Sequence, residues 1–123
     1  MARCEQGYLC DVCGDEVENI SNSDLYLRFV TGQIASGDLL AAPERHLLCN
    51  PFNAQFIDAD AVPRVYAAGD FDRRQLDDDY VQQQSALLTR GWQRLQELAA
   101  LEQPIPLADY PLPEFRTRSR SSG

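Results

Sequence analysis

Two pairs of potential metal ligands share one spacing in this 123-residue chain. Two residues separate Cys10 from Cys13, and two residues separate His46 from Cys49. A short turn directs both side chains of such a pair toward one ion, and thiolate and imidazole are ligands that Zn²⁺ prefers. The spacing therefore predicts one structural Zn²⁺ per chain, held by Cys10, Cys13, His46 and Cys49.

A fourth cysteine leaves the ligand set open to an alternative. Cys4 would replace His46 in a four-cysteine site with Cys10, Cys13 and Cys49, which would suit zinc or an iron–sulfur centre. We favour His46, because its spacing to Cys49 mirrors the first pair. The simplest competing interpretation treats the cysteines as small buried hydrophobic residues, but two matched pairs argue against it.

The two pairs resemble the Cys₃His sites of the zinc-ribbon and treble-clef families of zinc fingers, over residues 10–57. In a ribbon both pairs lie on facing hairpins, whereas in a treble clef the second pair lies at the start of a helix. Gly14 permits the positive φ that closes a metal-binding turn, and Pro51 suits the first turn of a helix, so the treble clef is favoured. The resemblance implies a fold type and a metal, but no substrate.

A predicted set of four protein ligands argues against catalysis. Catalytic zinc usually keeps one position open for water, and four protein ligands close the coordination sphere. Glu44 near His46 invites comparison with zinc deaminases, but the order and spacing of their glutamate, histidine and cysteine pair are different. We therefore expect no enzyme activity and assign no catalytic residue.

Local patterns predict the elements that would position these ligands. The segment Leu25–Val30 is rich in β-forming residues and ends at a turn, which favours a strand; a helix capped by Ser23 or Asp24 is the competing prediction. Pro51 is expected to begin a short helix that extends to Ile57.

A long amphipathic helix is predicted from Arg74 to Glu102, with Asp70 or Asp72 as its cap and Pro104 beyond its end. Its apolar stripe comprises Leu76, Tyr80, Leu87, Leu88, Gly91, Trp92, Leu95, Leu98 and Leu101. The acidic run Asp77–Asp79 is interpreted as a solvated face that complements the helix dipole, and Trp92 as a core residue.

These elements predict an α+β fold in a single zinc-binding domain over residues 1–115. A finger covers residues 8–57, a helical part covers 58–103, and a proline-rich extended segment covers 104–115. The proline-rich segment is expected to pack back on the body through Ile105, Leu107, Tyr110 and Leu112. An Arg/Ser-rich tail over residues 116–123 is expected to be disordered.

Composition narrows the class of protein and its partners. The net charge is −8, and the residues before Arg116 carry eight arginines against nineteen acidic residues, so that part of the chain should repel nucleic-acid phosphates. Neither a signal segment nor a membrane-spanning stretch is recognisable, and the thiols suit a reducing compartment, so we expect a cytoplasmic protein without membrane contact.

These expectations lead to three hypotheses of function. The first is a non-catalytic protein-interaction or regulatory module that binds a protein partner through its long helix or acidic surface. The second is a nucleic-acid-associated zinc finger that uses Arg28, Arg45 and the basic tail, which the charge balance disfavours. The third is a thiol–zinc redox sensor in which Cys4 exchanges with the metal-bound thiolates.

Overall fold

The structure of the protein, a computed structural model, describes residues 8–17, 19–39 and 41–116. Regular structure in these residues consists of strands β1 (Tyr8–Leu9) and β2 (Glu16–Val17) and helices α1 (Asp24–Val30), α2 (Pro51–Ala54) and α3 (Asp78–Ala99). The two strands form one antiparallel hairpin, and short 3₁₀ turns connect the helices. The described part of the chain is therefore partly helical, with one long helix and almost no strand.

Helix α1 occupies the segment for which a strand was favoured, so that prediction is wrong. The Ser23 hydroxyl accepts a hydrogen bond from the Tyr26 N–H at 3.0 Å and caps the helix. Apolar side chains cover nearly the whole circumference of α1, and the buried ones are Leu25, Tyr26, Leu27, Phe29 and Val30. A helix that is apolar all round belongs in a core, where burial outweighs the weak strand preference of aromatic and β-branched residues.

Helix α3 is shorter than predicted at both ends. The carboxylate of Asp77 accepts hydrogen bonds from the N–H groups of Asp79 and Tyr80, so Asp77 is the cap rather than Asp70 or Asp72. The buried face repeats every three or four residues and consists of Val81, Ser85, Leu88, Gly91, Leu95 and Leu98. Tyr80 and Leu101, both assigned to the apolar stripe, are 49% and 46% exposed.

The proline-rich segment packs against α1 and α3, as predicted for most of its apolar residues. Leu112 is buried, and its N–H donates to the Val30 carbonyl at 3.0 Å. The Arg94 guanidinium of α3 donates to the carbonyl of Tyr110 at 2.9 Å. Leu107 is an exception, because it remains 38% exposed.

The core lies where α1 crosses α3, and it places the candidate ligands at its edge. Gly91 of α3 faces Leu27 of α1 and Thr31, the residue that caps the C-terminal end of α1. Trp92 packs against this core while remaining partly accessible. The N-terminal end of α1 points toward the segment that carries His46, since Ser23 forms an isolated antiparallel β-bridge with His46.

Candidate metal centre

The four ligands predicted from spacing lie together in the structure. Their donor atoms, the Sγ atoms of Cys10, Cys13 and Cys49 and one ring nitrogen of His46, all lie within 4.8 Å of one another. Cys10 is buried, Cys13 is exposed, and the other two are intermediate. The cluster therefore sits at the surface with one side closed by the protein, and it has the composition and size of a site that could hold a metal ion.

The first pair lies on the turn of the β1–β2 hairpin. The Cys10 N–H donates to the Asp15 carbonyl at 2.8 Å, and Gly14 takes a φ of +82° that a residue with a side chain rarely adopts. This tight turn directs the N–H groups of Val12 and Cys13 toward Cys10 Sγ, at 3.3 and 3.5 Å. The sulfur thus accepts hydrogen bonds that favour the thiolate, the form that binds metal.

The second pair lies on a 3₁₀ turn, Leu47–Cys49, immediately before α2. The Cys49 N–H donates to the His46 carbonyl at 3.0 Å, which brings the two ligands of the pair to the same side. Leu47 between them is buried and anchors the turn in the core. Pro51 begins α2 as predicted, but the helix ends at Ala54 and does not extend to Ile57.

The ring of His46 is oriented by a hydrogen bond on the side away from the cluster. Nε2 lies 2.9 Å from the carbonyl oxygen of Glu16 in β2. Since a carbonyl only accepts, Nε2 carries the proton and Nδ1 presents its lone pair. Nδ1 lies 3.3 Å from Cys13 Sγ and 3.8 Å from Cys49 Sγ. Metal-binding histidines typically have their second nitrogen fixed in this way.

Two of the distances between donor atoms can be compared with the dimensions of a tetrahedral zinc site. Zinc bonds of about 2.3 Å to sulfur and about 2.0–2.1 Å to nitrogen place a tetrahedral S···N pair about 3.6 Å apart and an S···S pair about 3.8 Å apart. The two observed S···N distances, 3.3 and 3.8 Å, lie on either side of that value. All four donor atoms lie within 4.8 Å of one another, so the Cys₃His group is close enough together to hold a metal ion.

The pKa values of the Cys10 and Cys49 thiols are shifted in opposite directions. Burial raises the pKa of the Cys10 thiol, but hydrogen bonds from the backbone N–H groups of Cys13, His46 and Val12 outweigh burial and lower it to about 6. Burial and the neighbouring thiols raise the pKa of Cys49 to about 12. Two thiolates this close repel each other, so full deprotonation of the group requires a bound positive charge.

The protonation of His46 depends on the same neighbours. Burial lowers the pKa of the imidazole, but the hydrogen bond to the Glu16 carbonyl and the Cys10 sulfur outweigh burial and raise it. Where the ring is protonated on both nitrogens, a metal must displace the Nδ1 proton before that nitrogen can act as a ligand. Metal binding at this cluster is therefore coupled to proton release.

An ion pair fastens the hairpin turn to the segment of the second pair. The carboxylate of Asp11 accepts two hydrogen bonds, each 2.7 Å long, from the Arg45 guanidinium, and this contact lowers the pKa of Asp11. The Asp11 N–H also donates to the Glu44 carbonyl at 2.9 Å. Asp11 follows Cys10 and Arg45 precedes His46, so this ion pair joins the two segments that carry the candidate ligands.

Buried carboxyl groups hold the second pair against α1. Glu44 accepts hydrogen bonds from the Ser23 hydroxyl at 2.8 Å and the Arg45 N–H at 2.9 Å, and burial raises its pKa. Asp24, whose side chain is fully buried, accepts from the amide of Asn50 at 3.0 Å and from Arg28 at 3.0 Å. Glu44 thus contacts Ser23, the residue that caps the N-terminal end of α1.

Sequence reasoning missed these supporting residues, although one signal pointed to them. Asp11 and Arg45 are the residues that directly follow and precede a ligand, and their opposite charges would have suggested a pair. The Glu16 carbonyl and the Asp24–Asn50 contact join segments far apart in sequence, which spacing cannot reveal. Cys4, the alternative ligand, and residues 117–123 of the predicted tail lie outside the described residues.

Comparison with known proteins identified no matching family model, no similar curated protein and no similar solved structure. Among the described residues, no helix combines the length and the apolar character needed to cross a bilayer. A functional interpretation therefore depends on the geometry of the cluster and on the surfaces that it supports.

Proposed function

We propose that the protein is a structural zinc-binding module that acts through protein–protein contact and not through catalysis. The observation that carries the proposal is the convergence of Cys10, Cys13, His46 and Cys49 within 4.8 Å. Zinc at this site would join the β1–β2 hairpin, which packs few side chains of its own, to the turn that precedes α2. A metal staple of this kind contributes directly to folding in small domains.

The order of the elements supports a treble-clef-like arrangement. The first pair lies on a hairpin turn and the second precedes a helix, which is the treble-clef pattern and not the ribbon pattern. Four protein ligands would complete the tetrahedron, so no position is left for a reacting water. This closed sphere supports a structural assignment for the zinc.

The ion pairs of the described residues favour a protein partner over nucleic acid. Arg28 and Arg45, the finger residues considered for phosphate contact, are paired with Asp24 and Asp11. Five more arginines form ion pairs with carboxylates, namely Arg64, Arg73, Arg74, Arg90 and Arg94. A phosphate would have to compete with these carboxylates and with the net negative charge of the chain.

The metal assignment is tested by elemental analysis of purified variants. We expect one zinc per chain in the wild-type protein and in Cys4→Ser, and loss of zinc in His46→Ala. His46→Cys is the matched rescue, since a fourth thiolate closes the same tetrahedron, and it should keep the metal. Zinc lost from Cys4→Ser but kept in His46→Ala would overturn the ligand set, and iron in the wild type would overturn the metal.

The interaction role is tested separately with the zinc-loaded protein as bait. Partners captured by the wild type and by His46→Cys should be absent from captures with His46→Ala, because the surface near α2 depends on the metal. Failure to recover any partner with all three baits would contradict the interaction role while leaving the metal assignment intact. Binding to DNA or RNA that falls steeply with added salt would favour the nucleic-acid alternative instead.

A further inference from the structure

Three exposed aromatic rings line a groove next to the metal-binding segment. Phe52 of α2, Phe71 of the connecting segment and Tyr80 of α3 are 50%, 61% and 49% exposed. The groove that they share has a volume of about 350 Å³ and also contacts Gln33 and Leu87. Scattered apolar residues are ordinary on a protein surface, but aromatic rings gathered around one groove are typical of a binding site.

The Gln55 side chain lies beneath the groove and forms hydrogen bonds with the segment that connects α2 to α3. The side-chain amide of Gln55 is buried, and its oxygen accepts hydrogen bonds from the N–H groups of Ala67 and Arg73, at 3.1 and 2.8 Å. Its nitrogen donates to the Phe71 carbonyl at 2.9 Å. Hydrogen bonds from the Gln55 side chain therefore fix the backbone at Phe71 and on both sides of it, at Ala67 and Arg73. This fixed backbone holds the Phe71 ring at the surface.

The rings are also arranged to accept a further apolar group. Phe52 and Phe71 stack edge to face with ring centroids 5.2 Å apart, and Phe56 and Tyr80 do the same at 6.2 Å. Phe56 is buried, whereas Phe52, Phe71 and Tyr80 keep ring surface open to solvent. Aromatic clusters of this kind contribute most of the binding energy at protein interfaces, since burying them costs little side-chain entropy.

Exposed carboxylates lie next in sequence to two aromatic residues of the groove, and the two neighbouring arginines form ion pairs. Asp70 precedes Phe71, and the Asp77–Asp79 run precedes Tyr80. Of the two nearby arginines, Arg73 is paired with Asp58 and donates to the Gln55 carbonyl, and Arg74 is paired with Asp72 and lies over the Tyr66 ring. The groove is lined by aromatic and aliphatic side chains together with the amides of Gln33, Asn53, Gln55 and Gln84. The exposed carboxylates that adjoin Phe71 and Tyr80 in sequence are taken as its charged border.

We propose that this groove binds a cationic peptide segment of a partner protein, in which an aromatic or large aliphatic side chain is flanked by Lys or Arg. The apolar side chain enters between Phe52, Phe71 and Tyr80, and the flanking cations meet Asp70 and the Asp77–Asp79 carboxylates. Complementary charge accelerates encounter and excludes acidic partners, including nucleic acid. This assignment rests on the proposed interaction role and names the surface and the chemistry of its partner.

The ligand is identified by selection from a displayed library of random peptides against the zinc-loaded protein, with counter-selection against zinc-loaded Phe71→Ser. We expect enriched peptides to combine an aromatic or aliphatic residue with two or more Lys or Arg. Enrichment of acidic peptides, or the absence of any peptide that discriminates the two proteins, would overturn the proposal. A partner captured elsewhere on the protein would leave the interaction role standing, so the two failures are distinguishable.

Direct titration of one enriched peptide, followed by fluorescence anisotropy, measures the contribution of each part of the groove. Phe71→Ser should weaken binding at least about tenfold, the effect typical of an interface hot spot. The control Leu101→Ser removes another exposed apolar side chain, just beyond the C-terminal end of α3, and should change affinity less than about twofold. Equal losses in both variants would overturn the assignment of the groove.

The charged border is tested with Asp78→Asn/Asp79→Asn, which leaves the Asp77 cap intact. Binding should weaken about three- to tenfold at low salt, and the two proteins should converge as salt is added. The remote control Asp60→Asn/Glu102→Gln removes the same charge and should have less than about half that effect. Equal effects of the two double variants would contradict a role for the border.

Two other occupants of the groove would also be revealed. Deletion of residues 117–123 should leave peptide affinity unchanged; a gain of about threefold or more would show that the chain's own tail competes, and would overturn the partner assignment. Self-association that Phe71→Ser abolishes would assign the groove to a second copy of the chain. The zinc content of every variant is measured first, so that loss of binding is not confused with loss of metal.

Discussion

The contact between α1 and α3 at Gly91 tests how close packing of the two helices contributes to the stability of the protein. A Cβ added at Gly91 would lie 2.4 Å from Thr31 Cγ2 and 3.1 Å from Leu27 Cδ1. The first distance is far inside van der Waals contact, so the helices or the Thr31 side chain would have to move. Gly91→Ala should therefore destabilise the protein although alanine is the better helix former.

The expected magnitude follows from two opposing effects. Replacing glycine by alanine inside a helix gains about 1 kcal/mol in helix propensity, whereas overpacking a core contact costs about 1–3 kcal/mol. The Thr31 methyl cannot rotate away freely, because the Thr31 hydroxyl donates to the Leu27 carbonyl at 2.8 Å. The difference is a net loss of up to about 2 kcal/mol in the free energy of unfolding.

Urea unfolding at a fixed excess of zinc measures this loss, and a second variant identifies its cause. Thr31→Ser removes the clashing methyl and keeps the hydroxyl, so the double variant with Gly91→Ala should be more stable than the sum of the single effects by about 1 kcal/mol. Gly37→Ala is the control, since nothing lies within 4 Å of its added Cβ. Strictly additive effects, or a stabilising Gly91→Ala, would refute the close-contact explanation.

Three further outcomes follow from the site and its supports. Zinc affinity should fall by at least about one log unit per pH unit between about pH 8 and 6, as measured by competition with a chromophoric chelator. The reason is that Cys49 and His46 both have raised pKa values and must lose protons to bind the metal. Asp24→Ala leaves the Asn50 amide without its buried acceptor and should cost about 3 kcal/mol in urea unfolding, against less than about 0.5 kcal/mol for exposed Asp60→Ala. Removal of zinc by EDTA should weaken binding of the selected cationic peptide at least about fivefold, and unchanged anisotropy would disprove that coupling.

The ligand group was predictable because its information is local. Two residues between Cys10 and Cys13, or between His46 and Cys49, leave few ways to place the donors other than on one side of a turn. The sequence did not indicate how the pairs would meet across thirty-two intervening residues. That convergence depends on the Asp11–Arg45 ion pair and on the buried groups behind it, which join distant segments.

The two errors in secondary structure have different physical origins. Packing against the rest of the chain decided the conformation of Leu25–Val30, whereas the cap of α3 is a local contact made by Asp77. Burial on all sides made α1 a helix, while Asp72, a predicted α3 cap, caps a separate 3₁₀ turn at Arg73. Tyr80 fits the helical period but falls at the border of the buried face, where it became part of the groove.

The same short helix joins the metal cluster to the aromatic groove. Cys49 ends the turn before α2, and Phe52 lies on α2 itself, one residue beyond the Pro51 that begins it. A four-residue helix is too short to be stable alone, so α2 depends on the contacts at its two ends. Asn50 is bonded to buried Asp24 at one end, and Gln55 clamps the groove at the other. Zinc bound by Cys49 would also fix the N-terminal end of α2. Metal loading should therefore determine how well Phe52 is positioned to bind a partner.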